Sequence, residues 1–454
     1  MSGVSVSANP ARLEQATASL HSLSIETLTG NEPTEYAVDG KSPEVVARPT
    51  SPQEISETMS VASQHGLSVS PLGGRTRTGL GNVPESLDLA IDMTGVDQVL
   101  AHNAADLTAT VEAGIRVSRL QEVLAEHGQF LAIDPPLPDR ATIGGTLAVG
   151  WSGPATWQNW SPRDIVIGMR TVMADGTITK TGGQVVKNVS GYDMARMHIG
   201  AMGTLGIIAE VSFKLTPLPA RQATVMATFD SDSNCLGAAL AVYGSSLVPL
   251  AISTLHGQKP REGGGGRGEG QPSLMARVGG RARSVRRQTD DVTSILKRHG
   301  AISDTVIDGD DATTMWRRIG DFGWSDETAP IAGIRASVLP ADIPGVLASM
   351  QNTKDPSGLR WRATTQTAQG IIDIHWLNVD GESSTEQVNA ALSNAVQAVR
   401  RVRGTTVVTH APATVKGTLD VWGQATSAID TMRNLKRQYD PDQLLNPGRF
   451  MGGI

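Results

Sequence analysis

Glycine placement is the feature that most limits what this chain can become. There are 49 glycines in 454 residues, about 11% against a usual ~7%. In the first half they gather into three runs: Gly73 to Gly81, Gly144 to Gly153, and Gly182 to Gly206 with its spacers. Main chain without Cβ atoms can converge its N–H groups on phosphate oxygens and lie flat against a planar ligand. The two standard nucleotide motifs are missing. Gly40-Lys41-Ser42 ends like a P-loop, but Glu35 stands where its upstream glycine belongs. Gly79-Leu80-Gly81 is followed by Asn82, Val83 and Pro84, so no Rossmann turn opens a helix there. A dinucleotide would have to be held by another fold.

Composition closes off other classes. With 39% apolar and 19% charged residues, the chain can build cores and is not a disordered polyelectrolyte. Its length predicts about two or three domains. Lys plus Arg number 39 against 45 Asp plus Glu, a net charge of -6, which leaves no broad cationic field for nucleic acid. The single cysteine, Cys235, allows no internal disulfide and no multi-thiolate zinc or iron–sulfur site. A reducing cytoplasmic setting is expected. Met1 to Leu20 lacks the basic start and apolar run of a signal peptide. Ala141 to Pro162 is uncharged, but its four glycines and two prolines read as loop rather than membrane helix.

Periodicity organises the rest. Residues 1–42 form an N-terminal arm with one helix expected over Ala11 to Leu20. Ser51-Pro52-Gln53-Glu54 has capping-box spacing ahead of Ile55, Met59 and Ala62, and Gly66 ends that helix. Strands are expected at Leu67 to Val69, Ala90 to Met93 and Thr108 to Glu112, with a helical stripe over Val117 to Leu124. Asp175-Gly176 marks a hairpin, Gly203 to Leu215 a strand, and Pro217 with Pro219 a domain boundary. Residues 261–270, rich in glycine, read as a flexible loop. Helices are expected over Ser284 to His299 and around Ile429, Met432 and Leu435, and a strand over Ile371 to Leu377. No internal repeat is evident.

In this order the motifs resemble the FAD-binding domain of the vanillyl-alcohol oxidase and p-cresol methylhydroxylase (PCMH-type) family, and within it the FAD-binding subunit of bacterial glycolate oxidase. Pro71-Leu72-Gly73-Gly74-Arg75-Thr76 resembles the family's first pyrophosphate loop, and Val111 to Gly114 the strand after it. Asp134-Pro135, Ala141 to Gly145 and then Gly150, Ser152, Gly153 and Pro154 resemble the second flavin-contacting loop. Arg163-Asp164, Lys187 to Asp193 and Gly203 to Ile208 follow in the family's order.

The resemblance implies an α+β, two-lobed chain. An FAD-binding domain over 43–219 would be followed by an α+β, ferredoxin-like cap over 220–425, with 426–454 returning to the FAD domain. It implies cofactor contacts from Pro71, Leu72, Gly73, Gly74, Arg75, Thr76, Asp134, Pro135, Thr142, Gly144, Gly145, Gly150, Ser152, Gly153, Lys187, Gly203, Gly206, Ile207, Ile208 and Asn446. Gly73, Gly74, Gly144 and Gly145 would let backbone approach the diphosphate, with the Thr76 and Thr142 hydroxyls as donors. Ile207 and Ile208 would offer main chain to the ring edge. Lys187, Arg163 and Arg449 are candidate cations for the reduced flavin.

Three departures qualify it. Arg75 stands where many relatives have a third glycine, so either a negative φ or a direct phosphate contact is expected there. Neither His nor Cys occurs in 71–81 or 134–162, which implies non-covalent FAD. The paired-histidine stretch of catalytic relatives is absent; the nine histidines lie at least 25 residues apart, so no metal site is expected and His375 and His410 read as structural, His375 with a hydrogen bond. Three functions are open. The chain is the FAD subunit of a glycolate (2-hydroxy-acid) dehydrogenase complex, partnered by a catalytic FAD subunit and an iron–sulfur subunit. Alternatively, it is a self-sufficient dehydrogenase with Arg335, Arg360 or Arg362 holding the substrate carboxylate, or a scaffold that lost its cofactor.

Overall fold

The structure is a computed structural model that describes residues 10–151, 153–154, 161–184, 192–257, 270–324, 330–351, 359–378, 383–424 and 426–454. Chain contacts divide it into one unit of Met1–Ser152, Trp160–Leu218 and Ala425–Ile454, and a second of Gly153–Asn159 and Pro219–Gln424. Most of the glycine-rich loop at 261–270 lies outside the described residues.

In the first unit, helix Pro52–His65 starts where the Ser51 side chain accepts the Glu54 N–H at 3.2 Å and stops at Gly66, whose φ is 59°. Such a cap is worth about 1 kcal/mol. Its Ile55, Met59 and Ala62 are fully buried, which orients the helix and delivers the chain into strand Val69–Leu72. That strand is the edge of a four-stranded sheet ordered Glu26–Thr29, Val45–Arg48, Leu89–Asp92, Val69–Leu72. The last three strands run parallel.

A five-stranded antiparallel sheet follows, ordered Val99–Asn103, Thr108–Glu112, Ile207–Lys214, Val166–Val172, Ile178–Gly182. Gly176, at φ 89°, turns the last hairpin, and Asp175 accepts the Thr177 N–H. Strand Ile207–Lys214 serves two cores at once. Ile207 and Ala209 join the four-stranded sheet's core, while Ile208, Val211 and Phe213 face a second one. Apolar layers on both faces explain its unbroken apolar start, and a bulge between Ile208 and Glu210 moves the later residues Val211 and Phe213 to the face of Ile208.

Two local expectations change. The glycine-rich stretch after Ala141 contains a helix, Ile143–Val149, because the Thr142 hydroxyl accepts the Gly145 N–H at 3.3 Å and Gly150, at φ 72°, closes it. The strand expected from Gly203 begins at Ile207, since residues 201–204 form a turn in which Thr204 N–H bonds Ala201 O.

The second unit carries an eight-stranded antiparallel sheet, and it overturns the absence of a repeat. Its order is Ala301–Ile307, Arg221–Phe229, Ser273–Gly280, Ala251–Gly257, Arg360–Gln366, Ile371–Leu377, Ala332–Ser337, Thr405–His410. Each half runs strand, helix, strand, strand, helix, strand along the chain. Each half also has the same internal order, fourth, first, third, second, and the two second strands pair across the middle. The repeat lies in topology, and different side chains fill each copy, so periodicity along the sequence does not show it. Helices Asp232–Tyr243 and Ala282–Arg298 bury Cys235, Ala239, Val292 and Leu296 as part of the first half's core.

Candidate functional site

The first unit holds a solvent-open cleft. Four stretches meet there. Pro71 to Thr78 run from the edge strand into the loop after it; Pro135, Ala141 and Thr142 lead into the second glycine run, which adds Gly145, Thr146 and Val149; Met202 comes from the third; Asn446 and Arg449 come from the C-terminal segment. Of the predicted contact residues, the structure gathers Pro71, Leu72, Gly73, Gly74, Arg75, Thr76, Pro135, Thr142, Gly145 and Asn446 at this cleft. Thr78, Thr146 and Met202 join them from within the glycine runs, and Val38 and Ser70 from outside them, none being a predicted contact.

The glycines act differently from the expectation. A Cβ on Gly73 would lie 2.1 Å from the Thr142 hydroxyl oxygen, and one on Gly74 only 1.6 Å from the Arg140 carbonyl oxygen. Their missing side chains allow the first two loops to touch each other, and only thereby to share a cleft. Gly144 similarly admits Ala113, and its N–H bonds the Ala113 carbonyl at 2.7 Å. The Thr142 hydroxyl, expected as a ligand donor, caps the short helix.

Arg75 corrects the expected negative φ. It adopts φ 54°, a left-handed conformation that costs a residue with a Cβ about 1–2 kcal/mol. Its guanidinium lies 4.3 Å from the centre of the Tyr36 ring, a cation–π contact that offsets part of the cost. The Tyr36 hydroxyl donates to Asp92 Oδ2 at 2.6 Å, and burial followed by that partner holds its pKa above the ordinary value.

The remaining predicted residues sit elsewhere. Gly203, at φ 70°, abuts Pro71 and Asn446 behind the cleft wall. Gly150 packs on Gly200, and Gly206 on the buried His198 ring. Ile207 and Ile208 bury their side chains and pair with Val172 and Thr171. Asp134 and Gly144 do not line the cleft. Gly153 groups with the second unit, and Ser152 and Lys187 lie outside the described residues. Arg163 donates to the Ile199 carbonyl at 3.1 Å.

In the second unit, Arg335 faces Asp373, with Nε to Oδ1 and Nη2 to Oδ2 both at 3.2 Å; its charge is already matched. Arg360 and Arg362 are exposed. His375 and His410, 35 positions apart, stack with ring centroids 5.6 Å apart. The tertiary reason is Gly333, which pairs in register with both and has no side chain between them. Phe322 and Trp324 close around the pair. Burial drives both pKa values down to about 3, so the rings are neutral bases at ordinary pH. Contrary to the expected hydrogen bond, neither His375 ring nitrogen has a hydrogen-bond partner among the described residues.

Comparison with known proteins decides the family. Residues 43–182 match an FAD binding domain, and residues 218–450 match the C-terminal domain of FAD linked oxidases. This chain belongs to the FAD-linked oxidase family. It is therefore an FAD-dependent oxidoreductase. It is 25% identical to glycolate oxidase subunit GlcD of Bacillus subtilis, covering 90% of this chain and 89% of that one. It is 26% identical to the mitochondrial D-lactate dehydrogenase [cytochrome] of Arabidopsis thaliana, over 90% of this chain and 73% of that one. A D-2-hydroxyglutarate dehydrogenase of Xanthomonas citri is 25% identical over 90% and 89%. The solved structure of p-cresol methylhydroxylase shares the fold, with a TM-score of 0.75 over 97% of each chain at 14% identity.

Proposed function

We propose that this oxidase-family chain is the FAD-binding subunit of a glycolate (2-hydroxy-acid) dehydrogenase complex, with FAD held non-covalently in the first unit's cleft. The observation that carries the reading is the meeting of two glycine loops, distant in sequence, over one cleft. Loop main chain between Pro71 and Thr78 would hold the diphosphate through N–H groups, while Val149, Met202 and Leu72 keep water from its apolar parts. Bound flavin supplies hydride acceptance; this chain supplies binding, orientation and exclusion of solvent. Among the described lining residues there is no His or Cys to form a flavin bond. With one cysteine, an iron–sulfur relay must come from a partner chain, and a catalytic FAD subunit is the other expected partner. No helix among the described residues is long and apolar enough to cross a membrane; a cytoplasmic setting, with membrane contact made through partners, accords with the reading.

The D-lactate and D-2-hydroxyglutarate dehydrogenase relatives, matched along 90% of this chain, support a second reading as a self-sufficient dehydrogenase. The test is an anaerobic absorbance spectrum of the isolated chain before and after glycolate or D-lactate. Flavin bands that persist until partner subunits are added support the complex. Bleaching by the single chain supports the second reading. A colourless chain that takes up no FAD refutes both.

A further inference from the structure

The C-terminal segment binds the cleft's walls from behind. Val69 N–H donates to Leu444 O and Asn446 N–H to Val69 O, so residues 444–446 run beside the strand that feeds the first glycine loop. Both ends of the Asn446 carboxamide are engaged, Nδ2 by the Met202 carbonyl at 2.7 Å and Oδ1 by the Ser70 hydroxyl. Buried Lys436 joins the Thr204 and Leu445 carbonyls to Asp440 at 2.6–2.9 Å. Asn82 in turn donates to the Gly448 and Phe450 carbonyls, both at 3.0 Å.

Arg449 completes this clasp. It is 4% exposed and donates to the Thr78 carbonyl at 2.9 Å, Leu80 at 2.5 Å and Asn82 at 3.2 Å, with Asp39 Oδ2 at 3.1 Å balancing its charge. A buried cation is tolerable only when its hydrogen bonds are met. Here three peptide oxygens of one loop meet them. A lysine, a point charge with three donors, lacks the planar fork that spans these groups. Carbonyls that accept from a guanidinium have their negative ends matched by a positive charge, which lessens their repulsion of a phosphate bound nearby.

We propose that Arg449 is a positioning residue: it sets the loop from Thr78 to Asn82 for cofactor capture, and docking of residues 440–450 and retention of FAD form one linked equilibrium. The proposal rests on the reading that the cleft holds FAD. Linkage is reciprocal, so FAD must tighten the C-terminal clasp by the factor that the clasp tightens FAD.

Hydrogen–deuterium exchange of the full chain, with and without FAD, tests this together with FAD affinity. In the unmodified chain, FAD is expected to slow exchange in 440–450 as well as in 73–82. Arg449→Met should weaken FAD by about tenfold or more and speed exchange in 73–82 even without FAD, while residues 219–424 are unaffected. Arg449→Lys should restore less than half of the lost binding free energy. Should Arg449→Met fail to fold, Asn82→Ala, which removes the hold on Gly448 and Phe450, is judged by the same two measurements. FAD affinity within about threefold of the unmodified chain, or FAD binding that leaves exchange in 440–450 unchanged, overturns the linkage alone. No FAD uptake by the unmodified chain overturns the cleft reading, and the linkage with it.

Discussion

Replacing Gly74 by alanine adds one carbon atom, and the structure states where it goes. The new Cβ would stand 1.6 Å from the Arg140 carbonyl oxygen, against a practical limit of 3.0 Å. The obstacle is main chain that cannot rotate aside, so the two loops must separate by about 1.4 Å. A shift of that size breaks hydrogen bonds whose useful range is only a few tenths of an ångström wide. Losing two bonds to a charged diphosphate removes about 3 kcal/mol or more, which is more than a hundredfold in affinity. Gly145→Ala offers the contrast, because its Cβ would meet only the Thr142 hydroxyl at 3.1 Å; a change below about threefold is expected. Gly183→Ala meets nothing within 4 Å and serves as the blank. The assay is the flavin-to-protein absorbance ratio after gel filtration, with FAD affinity from fluorescence titration. If Gly74→Ala emerges yellow with unaltered affinity, or Gly145→Ala loses as much, the loop-against-loop account fails.

Acid should weaken the second unit more steeply than the first. His375 and His410 there have pKa values of about 3, and His198 in the first unit about 4, against 6.5 when unfolded. Below 6.5 the unfolded chain takes up protons that the folded chain refuses, so stability is greatest above 6.5 and falls toward the folded values. The slope is up to about 1.4 kcal/mol per pH unit for each histidine. Unfolding followed by tryptophan fluorescence at pH 7, 6 and 5 checks this, and a double His375→Phe, His410→Phe variant with an unchanged pH slope would refute it. Gly345, exposed in the first turn of helix Ile343–Gln351, has open space where a Cβ would point. Gly345→Ala should therefore raise stability by up to about 1 kcal/mol in urea unfolding.

Elements governed by near neighbours in sequence were legible. Ser51, Pro52, Glu54 and Gly66 specify a helix from contacts within a few residues of each end, and the strand Thr108–Glu112 and the turn at Gly176 are likewise local matters of alternation and backbone freedom. The first cleft loop could be named because a dense glycine run is visible without a fold. What each glycine excludes could not. Whether Gly74 faces a ligand or the carbonyl of Arg140 depends on a segment 66 positions away, and no local pattern encodes that distance.

The histidines show the same division. Their spacing along the chain rules out a pair on one helix turn, and it is silent about Gly333, the strand neighbour that lets His375 and His410 stack. Arg449 looked free to face a flavin, yet its donors are taken by three carbonyls more than 360 positions upstream. Residue order thus decided the kinds of local structure and the chemistry on offer, because propensity, capping and backbone freedom act over a few residues. Tertiary structure decided which of those groups remain available to a ligand, because each buried polar atom must find its partner in space and that partner is chosen by packing.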